Sequence, residues 1–136
     1  MSFFQGQKCG RDALLAKIMI VDDMHDIHEV FKEVLQLHGH QVIFSAKNGQ
    51  EAVEYMKNPS TIKPELIIMD QLMPRKDGLT ALKEILLLDS QQKIIFVSAD
   101  PSSKQKVLKE GAKEYLVKPF PLKSLLKIIA HIINNF

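Results

Sequence analysis

Apolar residues along the chain follow two alternating rhythms. KIMIV at residues 17–21, LIIM at 66–69 and KIIFV at 93–97 are short apolar runs with little polarity of their own. Such runs fit strands buried on both faces of a parallel sheet. Residues 41–46 and 114–117 read as two further strands. Between these runs, apolar residues recur at helical spacing. Ile27, Val30, Phe31, Val34 and Leu35 mark a first helix, with cap candidates at residues 22–26 and a stop at Gly39. Residues 48–57 predict a second helix with Ala52, Val53 and Met56 inward, followed by a polar, proline-bearing loop over 58–64. Residues 78–88 predict a third, with Leu79, Leu82, Ile85 and Leu86 inward. Residues 101–110 form a polar helix with few anchors, mainly Val107 and Leu108. Leu122, Leu125, Leu126, Ile129, Ile132 and Ile133 mark a strongly amphipathic last helix. Strict alternation of strand and helix predicts the α/β class: a doubly wound, five-stranded parallel sheet covered by five helices. Residues 1–16 show no clear period and read as an N-terminal extension, partly helical near Leu14, ahead of one domain over 17–136.

Composition narrows the classes. With 46% hydrophobic and 25% charged residues, the 136-residue chain is that of a globular domain with a proper core. No apolar run approaches the roughly 20 residues of a bilayer span, and the start lacks a secretory signal pattern. The single cysteine, Cys9, cannot form an internal disulfide and reads as an incidental thiol. These features favour the cytoplasm and no membrane insertion. The net charge of +2 does not suggest nucleic acid, and no recognition-helix motif or aromatic-basic stripe is present. Charge is nonetheless uneven. Residues 100–136 hold seven lysines (104, 106, 109, 113, 118, 123 and 127) against Asp100, Glu110 and Glu114. The ordinary reading of this excess is a solvated face; the sharper one is a docking surface for an acidic partner.

The chemistry lies at the strand ends. Asp22, Asp23, Asp70, Ser98 and Lys118 all follow or end a predicted strand, and parallel sheets bind ligands beyond their carboxyl ends. Three carboxylates brought together there repel one another unless a cation intervenes. All-oxygen ligands favour a hard, water-rich ion such as Mg²⁺. An aspartate beside such an ion can attack phosphorus. Lys118 and Ser98 supply the positive charge and donor that a phosphoryl group needs. Taken alone, Asp22 and Asp23 could be no more than helix caps, and Lys118 a surface lysine. His25 and His28, three apart, could suggest a transition-metal pair, but too few His or Cys ligands accompany them, so they read as solvated surface histidines.

Four segments, IMIVDD at 18–23, LIIMDQLMPRKDG at 66–78, IIFVSA at 94–99 and YLVKPF at 115–120, occur in this order. Together the sequence resembles the receiver domain of two-component response regulators, particularly the single-domain chemotaxis type, over residues 17–133. The resemblance implies the flavodoxin-like receiver fold with strand order 2-1-3-4-5. It implies Asp70 as phosphoacceptor, and Mg²⁺ on Asp23, Asp70 and the Leu72 carbonyl, with Asp22 acting through a metal-bound water. Ser98 and Lys118 would hold the phosphoryl group, Tyr115 would rotate inward as the switch aromatic, and a cis peptide bond would precede Pro119. It further implies a sensor histidine kinase or histidine phosphotransfer protein as donor. A downstream protein effector would dock on the 101–136 face, and the chain would be a monomer or phosphorylation-dependent dimer. Its only catalysis would be its own phosphorylation and dephosphorylation. Gln71 and Lys76 depart from the usual pattern and predict a more basic rim. Three alternatives stand beside the switch: a phosphorelay intermediate or phosphate sink without its own output, a phosphorylation-independent interaction module, and a phosphatase. The last is disfavoured because Leu72 occupies the place of a second acid.

Overall fold

The computed structural model describes residues 16–134. Strands β1 (Lys17–Val21), β2 (Gln41–Ala46), β3 (Leu66–Met69), β4 (Lys93–Ser98) and β5 (Glu114–Val117) alternate with helices α1 (His25–Leu37), α2 (Gly49–Lys57), α3 (Gly78–Leu88), α4 (Lys104–Lys109) and α5 (Leu122–Asn134). The strands form one parallel sheet in the order β2-β1-β3-β4-β5, the topology expected from the resemblance. The chain therefore leaves β1 toward β2 and returns to the other side for β3. This reversal opens a crevice between the carboxyl ends of β1 and β3.

Alternate residues of each strand sort to opposite faces. Met19, Val21, Ile67, Met69, Ile94 and Phe96 pack with α2, α3 and Val107 of α4. Ile18, Ile20, Leu66, Ile68, Ile95 and Val97 pack with Phe31 and Leu35 of α1 and with Leu125, Ile129, Ile132 and Ile133 of α5. That double burial explains the unbroken apolar strands. At the sheet edge, β2 carries a register shift opposite Ile18 and Met19, which blunts it against edge-to-edge pairing.

Several boundaries differ from the sequence reading. The first helix has Met24 as its N-cap, without a side-chain cap bond, because Asp22 turns its Oδ1 to the Met24 N–H (2.9 Å) and Asp23 joins the acid cluster. Its stop is as expected. Gly39 takes φ 89°, its N–H reaches Gln36 O (3.1 Å), and the His40 N–H reaches Leu35 O (3.0 Å). Those two bonds satisfy the last carbonyls of α1. The predicted helix over 101–110 is split: a 3₁₀ turn, Pro101–Ser103, precedes α4. Asp100 holds that turn by accepting the Ser102 N–H (2.9 Å) and the Ser103 hydroxyl (2.7 Å). Leu122, counted in the apolar stripe of the last helix, is exposed, since α5 meets the sheet only from Leu125 onward. The expected extension and Cys9 lie outside the described residues except for Ala16, which is buried and donates its N–H to His40 Nδ1 (3.2 Å). Among the described residues, no helix is long and apolar enough to cross a membrane.

Candidate functional site

The carboxyl edge of the sheet gathers polar side chains that the body of the sheet excludes. Asp22 and Asp23 follow β1, Asp70 follows β3, Ser98 ends β4 and Lys118 follows β5. Carboxylate oxygens of Asp22, Asp23 and Asp70 lie within 4.8 Å of one another. Lys118 Nζ stands 3.5 Å from Asp22 Oδ2 and 3.8 Å from Asp70 Oδ2. Three strands thus converge on one spot, and every charged residue picked from the sequence is in it. Lys118 is delivered by the turn after β5, where the peptide bond to Pro119 is cis as expected and the Lys118 N–H reaches Ser98 O (2.8 Å).

Asp70 is held firmly. Its N–H donates to Val21 O (3.0 Å), and its Oδ1 accepts the Leu72 N–H (3.4 Å). Burial pushes its carboxyl above the usual range; Lys118 opposes that shift, the like charge of Asp22 adds to it, and the Leu72 and Gln71 N–H groups oppose it. Behind it, α3 starts flush against the loop. A Cβ on Gly78 would stand 2.3 Å from Asp70 O and 2.6 Å from the Phe96 ring, so any larger residue would push α3 away.

Two departures in this loop have structural roles. Gln71 is buried, and its Oε1 accepts the Leu79 N–H (2.8 Å), so it caps the start of α3 together with Asp77. Lys76 Nζ pairs with Glu84 at 2.6 Å, and its carbonyl accepts the Gly49 N–H (3.2 Å). The basic rim expected from these residues is therefore reduced: Gln71 is turned inward and Glu84 meets the Lys76 charge. Arg75, between them, takes φ 69°, in a tight turn closed by Lys76 N–H to Pro74 O (2.7 Å).

Ser98 is fully buried, and its Oγ accepts the Asp100 N–H (3.2 Å). Tyr115 is inward and 2% exposed, stacked on Phe96 with centroids 5.8 Å apart, and its hydroxyl donates to the Asp100 carbonyl. Burial pushes its phenol pKa up. Ser98, Asp100 and Tyr115 thus form one connected chain of contacts from the end of β4 to the β4–α4 loop. Leu72, two residues after Asp70, leaves its side chain exposed at the mouth.

The donor set fits a hard cation. Every candidate ligand is an oxygen, and Asp22 Oδ2, 3.5 Å from Lys118 Nζ, is buried with no hydrogen-bond partner among the described residues. A carboxylate oxygen withdrawn from water needs positive charge nearby. Among the described residues, no other group of three or more His, Cys, Asp or Glu side chains comes together in this way. The two histidines do not behave as a surface pair. His25 is exposed, but His28 is buried and its Nε2 bonds the Asp22 carbonyl. A signal for this was present, because 28, 31 and 35 share the inward helical spacing of Phe31 and Leu35.

The geometry agrees with what known proteins show. Residues 18–130 match the response regulator receiver domain family. The chain is 39% identical over 120 residues to chemotaxis protein CheY of Bacillus subtilis, covering 87% of this chain and 98% of that protein. It is 38% identical over 106 residues to chemotaxis protein CheY of Thermotoga maritima, covering 76% and 86%. The solved CheX-CheY-BeF3-Mg complex from Borrelia burgdorferi has a matching chain at TM-score 0.77 and 28% identity, over 85% of this chain and 87% of that one. An acid trio at the β1/β3 crevice, a sheet of this strand order and these similarities together make the chain a member of the response regulator receiver domain family, of the CheY-like kind.

Proposed function

We propose that this receiver is a phosphorylation switch, with Asp70 as acceptor. The observation that carries the reading is the position of Lys118, whose ammonium faces both Asp22 and Asp70 from a different strand. An ammonium that faces both carboxylates at this edge is in place to neutralise a phosphoryl group there.

The donor is a phosphohistidine of a sensor histidine kinase or a histidine phosphotransfer protein. An Asp70 carboxylate oxygen forms a bond to phosphorus as the phosphorus–nitrogen bond breaks, and the leaving imidazole keeps the electron pair. Asp70 must be ionised to attack. Burial works against that, and the Lys118 charge works for it. Asp23, Asp70 and the Leu72 carbonyl would hold Mg²⁺, with Asp22 acting through a water. When bound, the ion supplies positive charge against the negative charge that develops on the phosphoryl oxygens. Water restores the carboxylate later, and the chain turns over no other substrate.

The phosphoryl group adds about 1.5–2 negative charges. Ser98 Oγ then donates to it, Lys118 pairs with it, and the loop from Ser98 to Asp100 follows. Tyr115 reads that movement through the Asp100 carbonyl, and α4, anchored by Val107, moves with it. Inverting a 1:99 equilibrium takes about 5.5 kcal/mol. Two charge-assisted hydrogen bonds, at about 1.5–3 kcal/mol each, reach that range. The output is a protein effector on the 101–136 face, where exposed Lys104, Lys106, Lys109, Lys123 and Lys127 favour an acidic partner in the cytoplasm.

Incubation with acetyl phosphate and Mg²⁺ should add a phosphoryl mass, roughly 80 Da, to the intact chain, and Asp70→Asn should abolish it. An adduct that persists in Asp70→Asn overturns the assignment.

A further inference from the structure

Asp22 is fixed by three hydrogen bonds, one of which comes from a side chain outside the acid cluster. Its N–H donates to Ala46 O of β2 (3.1 Å), its Oδ1 accepts the Met24 N–H (2.9 Å), and its carbonyl accepts from His28 Nε2 (2.5 Å). With the backbone clamped from both sides and Oδ1 occupied, Oδ2 has one direction left. It points into the cluster with no hydrogen-bond partner among the described residues, 3.5 Å from Lys118 Nζ.

His28 is an unfavourable residue for its place. It sits on the inward side of α1 with Phe31 and Leu35, 5% exposed, and its Nδ1 is buried with no hydrogen-bond partner among the described residues. An apolar side chain would suit those neighbours better, because burying an unpaired polar atom costs stability. The compensation is the bond to the Asp22 carbonyl. A polar contact kept at the expense of packing beside a charged site points to function.

We infer that His28 is a positioning residue: its Nε2–H, acting through the main-chain carbonyl of Asp22, sets the orientation in which the acid cluster takes up its divalent cation. The inference rests on the reading of the cluster as a Mg²⁺ site. Groups that hold metal ligands in place commonly govern affinity as strongly as some ligands do.

Three variants of the full chain test it: His28→Met and His28→Phe remove the donor, and His28→Gln keeps one. Mg²⁺ alone is titrated and followed by the amide resonances of residues 22–23 and 70–72, with melting temperatures recorded beside it. His28→Met should weaken Mg²⁺ by about tenfold while melting no lower than the parent, and His28→Gln should stay within about twofold. A purely structural role would lower the melting temperature and leave Mg²⁺ affinity alone. Parental affinity in folded His28→Met, or equal weakening in His28→Gln, overturns the inference. His28→Phe is read in place of His28→Met if the latter does not fold, and failure of both to fold makes His28 a folding residue and ends the proposal. If the parent itself does not bind Mg²⁺, the cation reading falls with it; a parent that binds beside an unaffected variant removes only the role of His28.

Discussion

Strand β3 passes within one residue from one kind of environment to another. Leu66 to Met69 are fully buried, apolar and paired on both sides. Asp70 and Gln71, next in the chain, are almost as buried but polar. In the first region burial and stability coincide. In the second, burial opposes ionisation, three acids from two neighbouring strands share a cluster, and the following loop holds Arg75 at positive φ. The contrast shows where this fold gives up stability. The body of the sheet and its helices supply rigidity, and the carboxyl edge uses it to hold charges that would otherwise separate.

The comparison can be broken by substitutions in each region. Leu82 lies fully buried between α3 and the sheet. Leu82→Ala should cost about 3 kcal/mol in urea unfolding while leaving Mg²⁺ affinity near the parental value. A large loss of affinity at constant fold would mean that the two regions are not separable.

Asp70→Asn tests the other side. The folded Asp70 carboxyl lies above its unfolded value, so between those two values the native state binds more protons and stability falls as pH rises. The cost therefore grows as pH rises through the folded value and is absent once pH drops below about 3.9, where both states are protonated. In metal-free buffer, Asp70→Asn should be more stable than the parent by about 1 kcal/mol at pH 7. Thermal melts should show that gap closing as pH falls toward 4. Added Mg²⁺ should raise the melting temperature of the parent more than that of the variant. A gap that is absent at pH 7, or that widens on acidification, contradicts the idea that this edge is held at a cost.

The smallest effect is expected at Arg75. Its φ of 69° is disfavoured for a residue with a side chain. Arg75→Gly should leave stability equal or raise it by about 0.5 kcal/mol, since the relief of strain is partly offset by the freer unfolded chain. Differential scanning calorimetry on the two proteins checks it, and a clear drop in melting temperature would show that the Arg75 side chain stabilises the loop.

Much of this architecture was legible along the chain. KIMIV, LIIM and KIIFV gave buried strands because a strand covered on both faces has no polar position to spare. The acids, hydroxyl and lysine could be placed on one edge because each follows a strand in an all-parallel sheet. The misreadings have a common cause. His28, Gln71 and Lys76 are polar, and polarity in one dimension reads as exposure. His28 and Gln71 are instead buried because a backbone group needed a partner there, the Asp22 carbonyl in one case and the Leu79 N–H in the other. Lys76 lost its expected role because Glu84, eight residues later, lies within ion-pair reach. The split before α4 follows from hydroxyl and N–H contacts around Asp100 that no apolar period records.

By itself, then, the sequence determined the order and type of the elements, the two-sided core and the set of reactive side chains, because periodicity and strand position are properties of the chain alone. Tertiary structure decided the distances among Asp22, Asp23, Asp70 and Lys118, the inward place of Tyr115 and the clamp of His28 on Asp22. Those depend on how neighbouring strands are staggered and on which backbone groups are left to satisfy once they pack.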